Sequence, residues 1–434
     1  MGSRQVVSSV LDSLRFLPIA RELRELDEAQ HLGPAQLLPW QQQRLFRLLC
    51  HARDTTDFYQ HIIPDNLTPS LALAVLSSLP VITRQHISRE LPRFVSRRFA
   101  ARKLVLQHTS GSTGVPLSFY RDRASLIRQK AEVAYFGSWV GYQPGMRYLY
   151  VGPNRPRIRG WLRNELSLWS TYPDDSWFVK LADTLQTRRV RILVAHPSIL
   201  IPFAAYLSQH SASPTSTQGL RGVIAISEPL TDSARLRIVE ALHCPVLSRY
   251  STRELGTVAS ECMEKRFHIN VGSCYVEYLN PNDDRPNLNG GPSRAVVTAL
   301  NSYGMPFIRY DTGDVVTPAP AGCRCGRASP LLLRIDGRVI DAVTTPSGQQ
   351  LEGFDLCSQF EDTPAVGQFQ FCQLREGGYR ISLVPGPGYG NPTEAEILER
   401  FRRILGKTAA ICVERVDRID PLPSGKTPPI YRER

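Results

Sequence analysis

The sequence of 434 residues has no apolar run that approaches the roughly 18 residues needed to cross a bilayer. Its first residues, Met1 to Phe16, lack the apolar stretch and small-residue cleavage site of a secretory signal. It shows no internal repeat, which argues against a solenoid or propeller, and no low-complexity segment. We therefore expect a cytoplasmic protein without a membrane span.

The sequence has a formal net charge of +12 and nine cysteines, but it lacks a nucleic-acid-binding pattern and the cysteine spacing of a disulfide framework. No aromatic-interleaved basic repeat or helix-turn-helix pattern accompanies the arginines at 155, 157, 159 and 163, so we expect no nucleic-acid partner. A solvated basic face, or a surface for phosphate-bearing molecules or an acidic carrier protein, explains this charge equally well. The cysteines are odd in number and scattered, which favours reduced thiols or metal ligands over a disulfide framework.

The composition that remains is that of a globular protein, with 42% hydrophobic and 21% charged residues. The first hundred residues have helical spacing of apolar positions, and a helix is predicted to start after Leu79 to Thr83. From Lys103 onward, runs of about five apolar residues alternate with helix-length stretches, a pattern typical of buried strands in a largely parallel sheet. The clearest runs are Leu104 to Leu106, Arg147 to Val151, Ile192 to Ala195 and Gly222 to Ile226.

This pattern changes near Asp336. Short strands at Phe369 to Gln373 and Tyr379 to Val384, a helix from Thr393 to Leu405 and a strand at Ala410 to Val413 predict a small α+β domain. The predicted fold class is thus α/β, with a large N-terminal domain (1–336) of mixed, largely parallel sheets flanked by helices and a small mobile C-terminal domain (337–434).

The strongest local motif is His108-Thr109-Ser110-Gly111-Ser112-Thr113-Gly114-Val115-Pro116-Leu117, which directly follows a predicted strand. Its two glycines permit tight curvature, while the hydroxyls and exposed amides can surround phosphate oxygens. No Lys-Ser/Thr pair follows the second glycine, so it is not a Walker A loop. A short Ser/Gly-rich turn is the alternative interpretation of the loop alone.

Four later segments follow this loop in order. They are Arg249 to Glu254, Phe307 to Asp314, Gly337-Arg338 and Pro423 to Lys426. With this set, the sequence resembles the adenylate-forming superfamily of acyl-CoA synthetases, peptide-synthetase adenylation domains and luciferases. Within it, the sequence is most similar to the phenylacetate-CoA ligase branch, especially the CapK-like proteins. The segments that carry the branch resemblance are Thr109 to Asp122, Met305-Pro306, Cys323 to Arg327 and Gly337 to Asp341.

The resemblance implies a role for each matching residue. Asp314 would bind the ribose hydroxyls, Glu254 would bind magnesium, and Arg338 would contact nucleotide at a hinge. Ser227, Glu228 and Pro229 match the adenine-contacting segment, and Tyr250 and Ser251 lie in the nucleotide-binding segment before Glu254. The residues that would hold the ATP phosphates are Ser110, Gly111, Ser112, Thr113 and Gly114, with Thr113 also catalytic. Lys426 would be the late lysine that reaches the reacting carboxylate.

Arg253 departs from the family pattern, in which a threonine commonly stands before the magnesium glutamate. An arginine can replace that hydroxyl as a charged ligand of the α-phosphate, which would make Arg253 catalytic. It can instead pair with Glu254 and disable it. The first alternative predicts an active enzyme and the second a nucleotide-binding homologue without turnover.

A metal site is also predicted. Cys262 and His268 are separated by five residues, and Cys323 and Cys325 by one, so the four side chains offer two pairs of ligands for a closed structural zinc site. Similar cysteines and histidines occur at this place in several members of the branch. Buried thiols and a surface histidine are the alternative.

The predicted function is ATP-dependent activation of a carboxylic acid as acyl-AMP with release of pyrophosphate, followed by transfer to CoA or to the thiol of an acyl carrier protein. An amine acceptor, and therefore an amide product, is the alternative within the same class. The implied cofactors are ATP and magnesium, with structural zinc and coenzyme A as further candidates. The resemblance favours an aryl or small hydrophobic acid and a monomer or homodimer. Candidates for the acyl pocket are Tyr135, Phe136, His196, Pro197 and Tyr250.

Overall fold

The computed structural model describes most of the chain, in segments separated by short gaps. The described residues are 19–109, 117–143, 145–152, 164–170, 173–210, 217–338, 343–351, 353–360, 363, 365–386, 388–420 and 429–433. No helix in these segments is both long enough and apolar enough to cross a membrane.

The helices in chain order are α1 (19–31), α2 (Pro34–Thr55), α3 (Ala72–Ser78), α4 (Arg84–Phe94), α5 (Arg123–Ser138), α6 (Asp175–Thr187), α7 (Pro197–Gln209), α8 (Asp232–Leu242), α9 (Gly353–Cys357) and α10 (Asn391–Leu405). The strands are β1 (Val105–His108), β2 (Ser118–Arg121), β3 (Tyr148–Val151), β4 (Glu165–Leu168), β5 (Ile192–Ala195), β6 (Gly222–Ile226), β7 (Val246–Thr252), β8 (Gly256–Glu261), β9 (Phe267–Ile269), β10 (Cys274–Leu279), β11 (Ser293–Ala299), β12 (Tyr310–Ala319), β13 (Leu331–Arg338), β14 (Val343–Thr344), β15 (Gln350–Leu351), β16 (Val366–Gln373), β17 (Tyr379–Pro385), β18 (Ile411–Arg415) and β19 (Ile430–Arg432).

Several helices begin at residues that cap them. The Thr83 side chain accepts a hydrogen bond from the backbone N–H of His86 and thereby starts α4, as the sequence predicted for this segment. Asp122, Asp174 and Thr231 cap α5, α6 and α8 in the same way. These caps satisfy N–H groups that have no partner inside the helix.

The chain divides into two compact units, and the first comprises Met1–Trp139, Gln143–Gly145 and Arg249–Arg334. In this unit β8 pairs antiparallel with both β7 and β9, and β11 pairs antiparallel with both β10 and β12. The hairpin β1–β2 is a separate two-stranded sheet. Three predicted site residues of this unit lie on its strands: Tyr250 and Ser251 on the second half of β7, and Asp314 on β12.

The second unit comprises Val140–Tyr142, Met146–Ser248 and Ile335–Arg434. Here β3 pairs parallel with β4 and β5, and β5 pairs parallel with β6. Every residue of β5 and β6 is buried, because helices α6, α7 and α8 supply apolar side chains to the core around these strands. The C-terminal residues have a core of their own beneath a four-stranded sheet in the order β18-β17-β16-β19.

The expected mixed α/β class, with helices flanking the strands, is confirmed, and the strands predicted at Ile192 to Ala195 and Gly222 to Ile226 have the predicted bounds. The prediction of a buried strand at Leu104 to Leu106 is wrong. Val105 and Leu106 lie in the hairpin strand β1 and are 40% and 46% exposed. The division into domains at residues 336 and 337 stays a prediction.

Candidate active site and metal centre

The base of the glycine-rich loop is a closed hairpin. The backbone N–H of Thr109 donates to the Leu117 carbonyl, and the Thr109 hydroxyl accepts from the Leu117 N–H, both at 2.9 Å. β1 and β2 continue this pairing, with His108 opposite Ser118. The predicted phosphate ligands lie outside the described residues: Ser110, Gly111, Ser112, Thr113 and Gly114. The same is true of Lys426, and the side chain of Arg338, the last residue of β13, is also not described.

Arg253 reaches the base of this hairpin. Its Nη1 donates a hydrogen bond of 2.9 Å to the carbonyl of His108, the residue before Thr109. Among the described residues, Arg253 forms no ion pair with Glu254. The geometry therefore does not support the alternative in which Arg253 neutralises the predicted magnesium ligand, and it places a guanidinium next to the predicted phosphate loop.

Glu254 lies in the turn between β7 and β8 and is only 5% exposed. The Tyr310 hydroxyl donates a hydrogen bond of 3.0 Å to its Oε1, and this is the one hydrogen bond that the Glu254 carboxylate accepts among the described residues. Burial, followed by the nearby Glu254 carboxylate, raises the pKa of Tyr310, so its hydroxyl remains protonated and able to donate. A buried carboxylate with one donor retains free lone pairs for a cation.

Asp314, on β12, has a similar environment. The Tyr250 hydroxyl donates to Asp314 Oδ2 at 2.7 Å, and Asp314 is 8% exposed. The Asp314 N–H donates to the hydroxyl of Thr312, which in turn donates to the Ala295 carbonyl. The predicted site residues Tyr250, Arg253, Glu254 and Asp314 thus all lie on β7, the β7–β8 turn or β12 of the first unit. Ser251 is the next residue of β7 after Tyr250, where the pairing with β8 shifts register.

The remaining predicted nucleotide contacts lie in the second unit. Ser227 directly follows β6 and has a φ of 66°, in the left-handed region that non-glycine residues seldom adopt. The Glu228 carboxylate accepts hydrogen bonds from the N–H and the hydroxyl of Ser198 at the start of α7, at 2.8 and 2.9 Å. His196 Nδ1 lies 3.6 Å from Glu228 Oε1. The two hydrogen bonds of the Glu228 carboxylate therefore fix the Ser227 to Pro229 segment to α7.

Two acyl-pocket candidates, Tyr135 and Phe136, lie in an aromatic core cluster with Trp139. Their ring centroids are 5.7 and 4.8 Å from that of Trp139, and both side chains are buried. The Tyr135 hydroxyl donates to Asp27, and burial raises the pKa of Tyr135 to about 12. These contacts are those of core residues.

The four predicted zinc ligands come together. One ligand atom from each of Cys262, His268, Cys323 and Cys325 lies within 4.8 Å of all the others. The sulfurs of Cys262 and Cys323 are 3.6 Å apart, and Cys325 Sγ is 3.2 Å from His268 Nε2. In a tetrahedral zinc site with Zn–S bonds of ~2.3 Å, neighbouring sulfurs are about 3.8 Å apart, so the donor set fits this ion.

The second ring nitrogen of His268 is also bonded. Its Nδ1 lies 2.9 Å from the Ser329 hydroxyl, which orients the ring so that Nε2 faces the thiols. Burial, and then the charge of Arg327, lowers the pKa of His268 to about 4, so the imidazole is neutral near pH 7. The sequence predicted Tyr250 as a site residue but not its hydrogen bond to Asp314. It did not single out Tyr310 or Ser329, because neither residue belongs to the motif of its partner.

Comparisons with known proteins show which proteins this chain resembles. No protein-family model matches the sequence. The chain is 24% identical over 292 residues to Protein CapK of Staphylococcus aureus, a match that covers 64% of this chain and 63% of that protein. The match thus spans less than two-thirds of the length of this relative. The chain is 25% identical over 369 residues to the phenylacetate-coenzyme A ligase of Thermus thermophilus, which covers 81% of each.

Solved structures show the same likeness in three dimensions. A crystal structure of 2-hydroxyisobutyryl-CoA ligase in the postadenylation state with R3-HIB-AMP has a TM-score of 0.75 and 18% identity, covering 90% of this chain and 88% of that one. The same ligase with 2-HIB-AMP and CoA in the thioesterification state has a TM-score of 0.63 and 19% identity, covering 94% and 92%. The predicted resemblance to the adenylate-forming superfamily, and within it to phenylacetate-CoA ligase and CapK, is confirmed.

Proposed function

We propose that this chain, which has the fold of the adenylate-forming enzymes, activates a small carboxylic acid with ATP and transfers the acyl group to a thiol. In the first step, a carboxylate oxygen bonds to the α-phosphorus, the bond from that phosphorus to the bridging oxygen breaks, and pyrophosphate leaves. In the second step, a thiol loses its proton, its sulfur bonds to the acyl carbon, and AMP leaves with the electrons of the C–O bond.

The observation that carries this proposal is the pair of buried carboxylates, Glu254 and Asp314, each of which accepts a hydrogen bond from one tyrosine. A buried charge is costly unless it binds a cation or several donors. The resemblance assigns the ribose hydroxyls to Asp314 and magnesium to Glu254, where the cation would offset the charge of the buried carboxylate. Glu254 would hold magnesium, which neutralises phosphate charge as pyrophosphate leaves.

Arg253 supports the same proposal. Its guanidinium is bonded to the His108 carbonyl at the base of the phosphate loop, so it can supply positive charge to a phosphate held there. We infer that Arg253 replaces the hydroxyl of the usual threonine as an α-phosphate ligand. A catalytically degenerate protein is the less favoured alternative, because Arg253 leaves Glu254 unpaired with a cation among the described residues.

A thiol acceptor is favoured because the phenylacetate-coenzyme A ligase relatives and 2-hydroxyisobutyryl-CoA ligase carry CoA in their names, and one of the latter's structures contains it. We propose CoA or the pantetheine thiol of a carrier protein as acceptor, and an aryl or small hydrophobic acid as substrate. No observation on the described residues favours an amine acceptor over a thiol.

The test is carboxylate-dependent exchange of labelled pyrophosphate into ATP across a panel of aryl and short aliphatic acids, with CoA, a carrier protein or an amine supplied afterwards. The proposal expects exchange with at least one acid and a thioester product. Glu254→Gln should lower that exchange about a hundredfold, since it removes one charge contact of the transition state. Exchange with no acid, despite ATP binding, would overturn the proposal in favour of a nucleotide-binding protein, and an amide product would overturn the thiol.

We further propose that Cys262, His268, Cys323 and Cys325 hold a structural zinc ion. The three thiolates and one imidazole form a closed set of four ligands with no position left for a substrate, which is typical of structural sites. Cys262 lies in the β8–β9 turn, His268 lies on β9, and the other two ligands precede β13, so the ion would tie the β8–β9 hairpin to the segment before β13.

Metal analysis of protein purified without added zinc tests this site independently of activity. One zinc ion per chain is expected, and Cys325→Ser should lower both the zinc content and the melting temperature. Cys412→Ser is the matched control, because Cys412 is an exposed free thiol on β18. Wild-type protein without stoichiometric zinc, or a Cys325→Ser variant with full zinc content, would end the proposal.

A further inference from the structure

Arg121 contacts the turn that carries Glu254. Its Nη2 donates hydrogen bonds to two successive backbone carbonyls, that of Arg253 at 2.7 Å and that of Glu254 at 2.9 Å. These two carbonyls belong to the short connection between β7, which ends at Thr252, and β8, which begins at Gly256. One guanidinium therefore holds the backbone carbonyls on both sides of the Glu254 α-carbon.

Arg121 is suited to hold this position. It is only 4% exposed, and its guanidinium lies 5.7 Å from the ring centroid of Phe119. As the last residue of β2, it belongs to the hairpin whose tip is the glycine-rich loop, and Val105 of β1 lies opposite it. The same short strand thus connects the predicted phosphate loop with the turn of the predicted magnesium ligand.

Glu132 holds the other end of this turn. It lies on α5, is 2% exposed, and its Oε2 accepts the backbone N–H of Thr257 at 3.0 Å. Gly256 has a φ of 87°, and a Cβ built on it would lie 2.5 Å from Glu132 Oε2, so a larger residue here would strain the backbone and displace the Glu132 carboxylate. Burial lowers the pKa of Arg121, while attraction first to Glu132 and then to Glu254 opposes that effect.

We propose that Arg121, with Glu132 opposite it, is a positioning residue that fixes the Arg253–Thr257 turn so that Glu254 can bind magnesium. This inference rests on the proposed function. Without the two hydrogen bonds from Arg121, the two carbonyls would lose a charged donor in a buried place, and the turn would rearrange to solvate them. Such a rearrangement would move the Glu254 carboxylate away from Tyr310 and weaken magnesium binding, while the residues that contact ATP directly would remain.

The experiment measures pyrophosphate exchange as a function of free Mg²⁺ at saturating ATP and acid. Arg121→Met should raise the half-saturating Mg²⁺ concentration at least about tenfold, as expected for the loss of a charged hydrogen bond, with a smaller loss of rate at saturating Mg²⁺. Arg121→Lys, which keeps a donor and the charge, should recover part of this loss. If the methionine variant does not fold, the lysine variant still provides the comparison.

Arg235→Met is the matched control. Arg235 is another buried arginine, 6% exposed on α8, and its Nη1 donates to a backbone carbonyl, that of Val246, rather than to the Glu254 turn. This variant should lose stability without a change in half-saturating Mg²⁺. Equal shifts in the Arg121 and Arg235 variants, or no shift in Arg121→Met, would overturn the inference.

A second measurement separates this inference from the proposed function. The melting temperature with ATP present is recorded against Mg²⁺ concentration, which requires binding but no turnover. Arg121→Met should shift this titration to higher Mg²⁺ in the wild-type background and leave it unchanged in the Glu254→Gln background, because both changes act through the same ligand. A wild type that shows this behaviour without exchange would contradict only the proposed reaction, whereas full additivity of the two substitutions would contradict only the role of Arg121.

Discussion

The Tyr250 hydroxyl donates a hydrogen bond of 2.7 Å to Oδ2 of Asp314, and so joins strand β7 to strand β12 across 64 positions of the sequence. Both residues are less than a tenth exposed. The bond fixes the orientation of the carboxylate that we propose as the ligand of the ribose. An ionised carboxylate accepts several hydrogen bonds, as the proposed contact with two ribose hydroxyls requires.

Tyr250→Phe should therefore raise the KM for ATP about tenfold and change kcat less. The substitution removes one hydrogen bond to a buried charged group, and such a bond contributes ~1.5 kcal/mol or more. Steady-state pyrophosphate exchange at varied ATP measures the change. Tyr379→Phe is the control, because the hydroxyl of Tyr379 also donates a 2.7 Å hydrogen bond, but to the Thr344 carbonyl in the C-terminal part. An unchanged KM in Tyr250→Phe would mean that this bond does not position the nucleotide.

Arg253 offers a prediction that separates its two possible roles. If its guanidinium is the α-phosphate ligand, Arg253→Ala should lower the rate of adenylation about a hundredfold, as for removal of one transition-state contact. Arg253→Thr, which restores the common residue, should fall between the alanine variant and the wild type. Single-turnover formation of acyl-AMP measures both variants.

The control is Arg93→Ala, which removes an exposed arginine that pairs with Glu90 on α4 and lies over the Phe58 ring, both outside the candidate site. A rise in the rate of Arg253→Thr above wild type would contradict the prediction. It would mean that the arginine impairs the site and that the chain is a degenerate member of the superfamily.

A pH-dependent stability is predicted from Glu25 of α1. The guanidiniums of Arg128 and Arg44 each lie 2.6 Å from its carboxylate. Burial raises the pKa of Glu25, but the attraction of the two arginines outweighs this and leaves its pKa below the usual 4.5. A carboxyl group whose pKa is lower in the folded state contributes stability above its unfolded pKa and loses that contribution as the pH falls through the folded value.

The difference in melting temperature between wild type and Glu25→Gln should therefore be largest near neutral pH and shrink below a pH of about 4. Thermal unfolding at a series of pH values measures it. Glu28→Gln on the exposed side of the same helix serves as control and should show little difference at any pH. A difference for Glu25→Gln that stays constant down to the acid transition would show that the ion pairs are not its cause.

The sequence predicted the strands of the second unit more accurately than it predicted the side-chain contacts of the first unit. Ile192 to Ala195 is an apolar run between helix-length segments, and helices supply apolar side chains to the core around it. Leu104 to Leu106 is also an apolar run, but Val105 and Leu106 lie in an exposed hairpin strand. The sequence could not predict this exposure, because an apolar run alone does not reveal whether helices will cover it. Residue type and order predicted Glu254 and Asp314 as site residues, whereas their hydrogen bonds with Tyr310 and Tyr250 depend on the tertiary pairing of distant strands.

For the metal centre, too, residue type predicted the candidate ligands but not the tertiary contact that orients one of them. The chemistry of cysteine and histidine identified all four candidate ligands, since few residue types bind zinc. The hydroxyl of Ser329 on His268 was not predictable, because serine occurs throughout the chain and its role depends on the placement of the segment before β13. Arg121 was part of a motif, but only the structure shows its contact with the Glu254 turn.

Lys426 lies outside the described residues, and its role as the late catalytic lysine is assigned by resemblance alone. Lys426→Ala should lower carboxylate-dependent pyrophosphate exchange about a hundredfold or more, because a lysine that meets developing charge on the carboxylate and the α-phosphate acts mainly in the transition state of the first step. Transfer from chemically supplied acyl-AMP to CoA should change only by a small factor, because the resemblance implies that the small domain rotates and withdraws the lysine before that step. Lys407→Ala, which removes another lysine of the C-terminal part, is the control for a general effect of lost charge. An equal loss in both half-reactions would indicate damage to the C-terminal fold instead, and a variant with full activity in both would show that Lys426 has no part in catalysis.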